Sequence, residues 1–308
     1  MDAPTDNLFK FEQSIVTHEF GGDQRCISIG IKNGRRIARK SGYSATELDI
    51  MNLISSKPHP NLIQLIEVDL NEECLVMEGI KDGLTLHRYC SRIHITSFTI
   101  GRVVEMMMQL ASGLDYLHQL NVIHHDLNHD NVLVSFPDHE TDESDRGPCL
   151  KICDFGMSEV ADVDGLGRNE NRGSGTGHWR APEQLNDQSP HPVSTRIDIY
   201  PMGLIGSRLL YHGRTVDENH FSLPLALVDL IELCMNENPY ERPTASHLTV
   251  ILSKPSIITG PTMADMVIKL YRKALTTGHP IPSDLEKMLE RVASALGVDL
   301  ETVKLPAE

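Results

Sequence analysis

Apolar and polar positions read first as short strands and later as long helices. Ile15 to Gly22 has the make-up of a first strand and its turn, after a polar lead-in over residues 1–14. Cys26 to Lys32 and Arg35 to Lys40 are β-prone runs joined by Asn33-Gly34, a two-residue hairpin signal. Ser44 to Ser55 carries Leu48, Met51, Leu53 and Ile54 as a helix would, and Cys74 to Gly79 reads as a further strand. Val103 to Leu120 predicts a long helix, with Val103, Met106, Met107, Leu110, Leu114 and Leu117 apolar. At that spacing Met106 to Met108 are packing residues, not a cofactor site. Two short apolar runs follow, Val132 to Val134 and Leu150 to Ile152. Residues 254–308 form a separate pattern. Met263, Met266, Val267 and Leu270 make one helical stripe, and Ser283-Asp284-Leu285-Glu286 is a capping box for a helix ending at Gly297.

Composition narrows the class. The chain has 308 residues, 40% of them hydrophobic, which allows one large domain or two modest ones. No apolar run approaches the roughly 20 residues of a membrane span, and Met1 to Asp6 lacks a basic start and an apolar stretch. Neither a span nor a secretory signal is expected. The six cysteines are scattered without a C-x-x-C pair, which favours reduced thiols and a cytoplasmic location. A net charge of −15 argues against nucleic acid or anionic membrane as partner. It tolerates a basic peptide, although solubility accounts for it equally well.

The candidate chemistry lies in His124-His125-Asp126-Leu127-Asn128-His129-Asp130-Asn131 and in Asp154-Phe155-Gly156. Each stands beside one of the two short apolar runs, so a pair of strands would bring Asp126, Asn131 and Asp154 to one mouth. Asp126 can orient a hydroxyl and accept its proton, while Asn131 and Asp154 offer hard oxygens to Mg²⁺ on a polyphosphate. The plain alternative is loop acids and an Asx turn, common at strand ends.

These two motifs, followed by Ala181-Pro182-Glu183, resemble the eukaryotic-type protein-kinase signature set, in its order and over roughly residues 10 to 252. The resemblance implies an α+β, bilobal fold with a small β-rich N-lobe (15–78), a larger α-helical C-lobe (79–252) and a helical extension (253–308). It also implies ATP and Mg²⁺ as cofactors, and a serine/threonine of a protein substrate as acceptor. Gly21 and Gly22 stand where a glycine-rich loop covers the phosphates, but the rest of that loop is missing and by itself the stretch reads as a plain hairpin turn. Gly34 to Lys40 resembles the strand that ends in V-A-I-K, so Ala38 would face adenine and Lys40 would reach the phosphates; Lys32, in Gly-Ile-Lys, competes for the role. Glu47 would pair with Lys40 across a link shorter than the family's usual one. Met77 would back the adenine pocket, or serve as core filler, and Glu78 to Ile80 would offer backbone groups to the base.

The segment from Gly156 to Glu183 corresponds to an activation segment, with Ser174 and Thr176 as its nearest hydroxyls. The Thr176 hydroxyl would bond Asp126, Glu183 would pair with Arg242, and Asp198 would tie down the catalytic loop. The run Trp179 to Glu183 and the acidic insertion between Pro137 and Pro148 also resemble the unfolded-protein-response kinase/nucleases, whose nuclease the tail is too short to hold. Two departures stand out. His125 replaces an arginine that often contacts a phosphorylated activation loop, so control by that route should be weak. Asn128 replaces a lysine directed at the γ-phosphate, a loss of about 2.7–4 kcal/mol of barrier, roughly 10²–10³ in rate, by analogy with a lost oxyanion donor. A pseudokinase scaffold and a small-molecule kinase are the alternative readings.

Overall fold

The computed structural model describes residues 10–20, 23–92, 99–136, 147–168, 173–185, 189–212 and 223–277, with a few positions between 283 and 291. Gly21, Gly22, most of the acidic insertion and most of the second C-terminal helix lie outside the described residues. The first part is an antiparallel sheet in the order β1-β2-β3-β5-β4, formed by β1 (Lys10–Phe20), β2 (Asp23–Lys32), β3 (Arg35–Ser41), β4 (Leu65–Asp69) and β5 (Cys74–Glu78). Asn33 and Gly34 have φ of 53° and 73°. A two-residue hairpin turn whose twist suits the strands needs such a left-handed pair, and it sets Ile29 opposite Ala38 and Ile27 opposite Lys40. β1 begins at Lys10, not Ile15, because pairing with β2 continues to Lys10 opposite Ile31. Polar residues are tolerated on an edge strand, so the apolar pattern does not reveal its full length.

Helix α1 (Ala45–Ser56) packs on this sheet, with the Ser44 hydroxyl accepting from the Glu47 N–H at 3.0 Å as its N-cap. After β5 the chain becomes mainly helical. Helix α2 (Leu86–Arg92) is followed by α3 (Ile100–Gln119), which Thr99 caps by accepting from the Arg102 N–H. Val103, Met106, Met107, Leu110, Leu114 and Leu117 are all fully buried, so the apolar face of α3 forms the centre of the core.

The two-residue β6 (Val122–Ile123), then β7 (Val132–Ser135), β8 (Cys149–Ile152) and β9 (Glu159–Val160) form the small sheets that carry the loops. Short α4 (Pro182–Leu185) and buried α5 (Ile199–Leu210) come next, followed by α6 (Leu225–Cys234), α7 (Ala245–Leu252), α8 (Ser256–Thr259) and α9 (Met263–Thr277). The last of these is tied back by a Pro224–Thr262 bridge and by the Leu225 N–H donating to the Pro261 carbonyl. Its buried stripe is Ala264, Val267 and Tyr271, whereas Met266 and Leu270 are 40% and 48% exposed. The expected stripe is therefore kept at Val267 and corrected at Met266 and Leu270, on a helix tied down at its start by that bridge.

Candidate active site

Strand pairing brings the two motifs together. β7 and β8 are antiparallel with Val132 opposite Ile152. The residue before the first and the residue after the second must then meet, and the Cys153 N–H donates to the Asn131 carbonyl at 2.9 Å. Asp154 follows directly, in the left-handed region at φ 65°. That conformation is uncommon for a residue with a Cβ, and it turns the carboxylate toward β3. There Lys40 donates to Asp154 Oδ1 at 2.7 Å and to Glu47 Oε1 at 2.5 Å. Burial acts to lower the Lys40 pKa, but Asp154 and then Glu47 outweigh it and hold the ammonium above its ordinary value. Burial would likewise raise the Asp154 carboxyl; Lys40 and the Gly156 N–H hold it below the usual range. Lys32 instead pairs at the surface with Glu67. The geometry separates the two candidate lysines.

Asp126 is clamped by its neighbours. Asn131 Nδ2 donates to Oδ2 at 2.9 Å, and the Thr176 backbone N–H donates to Oδ1 at 2.7 Å. The link from Thr176 thus comes from its amide rather than from the hydroxyl expected of it. Asn128 is buried and closes the loop: Oδ1 accepts from the Asp130 and Asn131 N–H groups, and Nδ2 donates to the Asp126 carbonyl. The loop hangs from Asp198, which is 1% exposed and accepts from the His124 and His125 N–H groups at 2.9 and 3.0 Å. His118 Nε2 lies 3.0 Å from the same carboxylate. Burial would raise the Asp198 pKa, but His118, His124 and these bonds keep it low. His125, at φ 66°, places its buried imidazole 2.8 Å from Glu159, because β6 and β9 set Ile123 opposite Glu159. Glu183 and Arg242 form a bidentate pair at 2.7 Å for both bonds, with both side chains fully buried. The Gln184 side chain donates to the Ser174 carbonyl at 3.3 Å, and Thr176 is exposed.

A cleft between the sheet and the helices is lined by Ala38, Lys40, Met77, Ile80, Asn131 and Asp154, among others. The Glu78 carboxylate also reaches it but accepts from Lys151 at 2.9 Å and from the Gln64 N–H at 3.0 Å. The Gly79 N–H donates to the Arg36 carbonyl, so of the backbone groups expected to meet a base this donor is already used. A Cβ on Gly79 would come 2.7 Å from the Ile37 nitrogen, so only glycine fits there. Because Asn131 spends Nδ2 on Asp126, its amide oxygen carries no protein hydrogen bond among the described residues, and Asp154 keeps Oδ2 similarly open. Two such oxygens fit Mg²⁺ shared with phosphates. Among the described residues, no three of His, Cys, Asp or Glu could cage a metal by themselves.

Sequence reasoning missed Glu159, His118 and Arg208. Each meets a partner at least thirty positions away in the chain, Glu159 at His125, His118 at Asp198 and Arg208 at His129 and His178, and no local spacing signals it.

Comparison with known proteins agrees with this geometry. The protein kinase domain family matches residues 25–222. The chain is 28% identical to the serine/threonine/tyrosine-protein kinase HT1 of Arabidopsis thaliana, covering 66% of this chain and 53% of that protein. It is 29% identical to the mitogen-activated protein kinase kinase kinase dlk-1 of Caenorhabditis elegans (74% and 25%), and 26% identical to the tyrosine-protein kinase hopscotch of Drosophila melanogaster (70% and 19%). The chain thus spans about half the length of these relatives or less.

Proposed function

Since the chain belongs to the protein kinase family, we propose that it transfers the γ-phosphoryl group of ATP to serine or threonine of a protein. The observation that carries this reading is the Lys40 ammonium bound between Glu47 and Asp154 at the end of a cleft that also holds Asn131. Lys40, fixed by Glu47, would hold the nucleotide phosphates. Asn131 and Asp154 would hold Mg²⁺, which offsets the charge that builds on the phosphoryl oxygens. Asp126, aimed by Asn131 and by the Thr176 amide, would orient the acceptor hydroxyl and take its proton. Such catalysis is positioning and charge stabilisation. Gly175-Thr176 supports serine/threonine over tyrosine, and the scattered cysteines support a cytoplasmic setting. Radiolabel transfer from ATP to a generic basic protein, abolished by Asp154→Ala, tests the proposal. Equal background from both proteins would leave a nucleotide-binding scaffold, a reading favoured by the burial of Asn128 where a lysine would reach phosphate.

A further inference from the structure

A second concavity lies between α2 and α5. It is about 420 Å³ and is lined by His87, Cys90, His129, Arg208, Tyr211 and His212, among others. It borders the catalytic loop through His129. His129 belongs to the same loop as Asp126 and Asn131, and the His87 N–H donates to its carbonyl at 3.0 Å. Behind His129, Trp179 from the end of the activation segment packs 4.6 Å from the imidazole ring.

Arg208, from the last turn of α5, is the centre of the site. Its guanidinium lies 4.3 Å over the Trp179 ring, with NH1 3.1 Å from His129 Nε2 and NH2 2.8 Å from His178 Nε2. A guanidinium only donates, so both imidazoles must accept and are neutral in this arrangement. Burial, followed by His87, Arg208 and His178, pushes the His129 pKa down to about 4 against the pull of Asp130. Arg208 makes no ion pair with a carboxylate among the described residues, and Asp130 lies beside Nδ1 of His129, 3.3 Å away, rather than on the Arg208 side. The two lone pairs that could otherwise bind a metal are committed to Arg208. What remains is a permanent cation held rigid by an indole and two neutral imidazoles, with further N–H donors not used by them.

We propose that this pocket docks an anionic side chain of the protein substrate, a carboxylate or a phosphate, close to the residue that is phosphorylated. This deepens the kinase reading and rests on it for the word substrate, but the pocket is testable by binding alone. The full chain is titrated with fluorescent peptides that carry serine flanked on either side by alanine, glutamate, phosphoserine or lysine, and anisotropy is recorded. Glutamate or phosphoserine at one flank should bind about tenfold tighter than alanine, as expected for a charge-assisted contact, and Arg208→Glu should remove or invert that preference. Arg208→Gln should lose it with an unchanged melting temperature, which separates docking from folding. A stronger gain for phosphoserine identifies a phosphate site, and an equal gain a carboxylate site. Equal binding of all peptides, or a preference unaltered in both variants, overturns the pocket. Transfer to the alanine peptide, measured in parallel, tells that failure apart from failure of the kinase activity itself.

Discussion

Lys40 and Lys32 stand on the two strands of one hairpin and meet different surroundings. The first is 3% exposed between two carboxylates, and the second makes a half-exposed pair with Glu67. Exposed pairs contribute about 0–1 kcal/mol, whereas a fixed cation at transferring phosphates is worth roughly 10²–10³ in rate. Lys40→Met should therefore lower phosphoryl transfer by that factor, and Lys32→Met should leave it within about twofold, read by radiolabel incorporation. The opposite order would move the phosphate lysine to Lys32. Asn128 sets a second test. Because its side chain is buried and closes the catalytic loop, Asn128→Lys cannot simply restore a missing charge. It removes the acceptor of the Asp130 N–H and one of the two acceptors of the Asn131 N–H, which keeps the Asn128 carbonyl, and so loosens the loop. A lower melting temperature without a faster reaction is expected; a faster and equally stable variant would contradict the structure. At this scale the sequence singled out Asp126, Asn131 and Asp154, because each lies in a short motif beside an apolar strand run. It could not reveal that Asp126 meets the Thr176 amide, or that His125 turns to Glu159, because those contacts depend on distant strands meeting.

Among the elements, the end of the activation segment is anchored by the Glu183–Arg242 pair, which joins α4 to the loop before α7. Breaking a fully buried pair costs about 3–5 kcal/mol, mostly because one charge is left alone. Glu183→Gln and Arg242→Leu should each lower stability by that amount in urea titrations, and a loss under 1 kcal/mol from both would mean that water reaches the pair. Helix boundaries were legible to within a residue at α1, where Ser44 is a side-chain cap. α3 begins earlier than its apolar run because Thr99, not a hydrophobe, sets its start. The inward face of α9 was legible only at Val267: the apolar pattern chose Met266 and Leu270, whereas Ala264 and Tyr271 are the buried neighbours, on a helix that the Pro224–Thr262 bridge ties down at its start.

For the whole molecule, two carboxyls tie distant segments together, the half-buried Asp154 and the buried Asp198, and both are held below the ordinary carboxylate pKa. A carboxyl with a depressed folded pKa stabilises fully above its unfolded value and loses that contribution as pH falls through the folded one. The urea midpoint should thus be flat with respect to these groups above about pH 5 and fall below pH 4. The fall should be shallower in Asp198→Asn than in the parent. A midpoint that rises on acidification would reverse the sign and refute the assignment. The order of a sheet-rich part followed by a helical one was readable because strand and helix periods differ. How the two parts grip one another was not, since that depends on Lys40 and Asp154, separated by most of the intervening chain.

Only Gly42, Tyr43 and Ser44 separate β3 from α1. Three residues reach at most about 10 Å when fully extended, so α1 is on a short leash: it cannot swing outward without pulling β3 from the sheet. The link keeps Glu47, in the first turn of α1, within reach of Lys40. Across the cleft, the segment carrying Thr176 has no such tether among the described residues and leans on Asp126 through one amide.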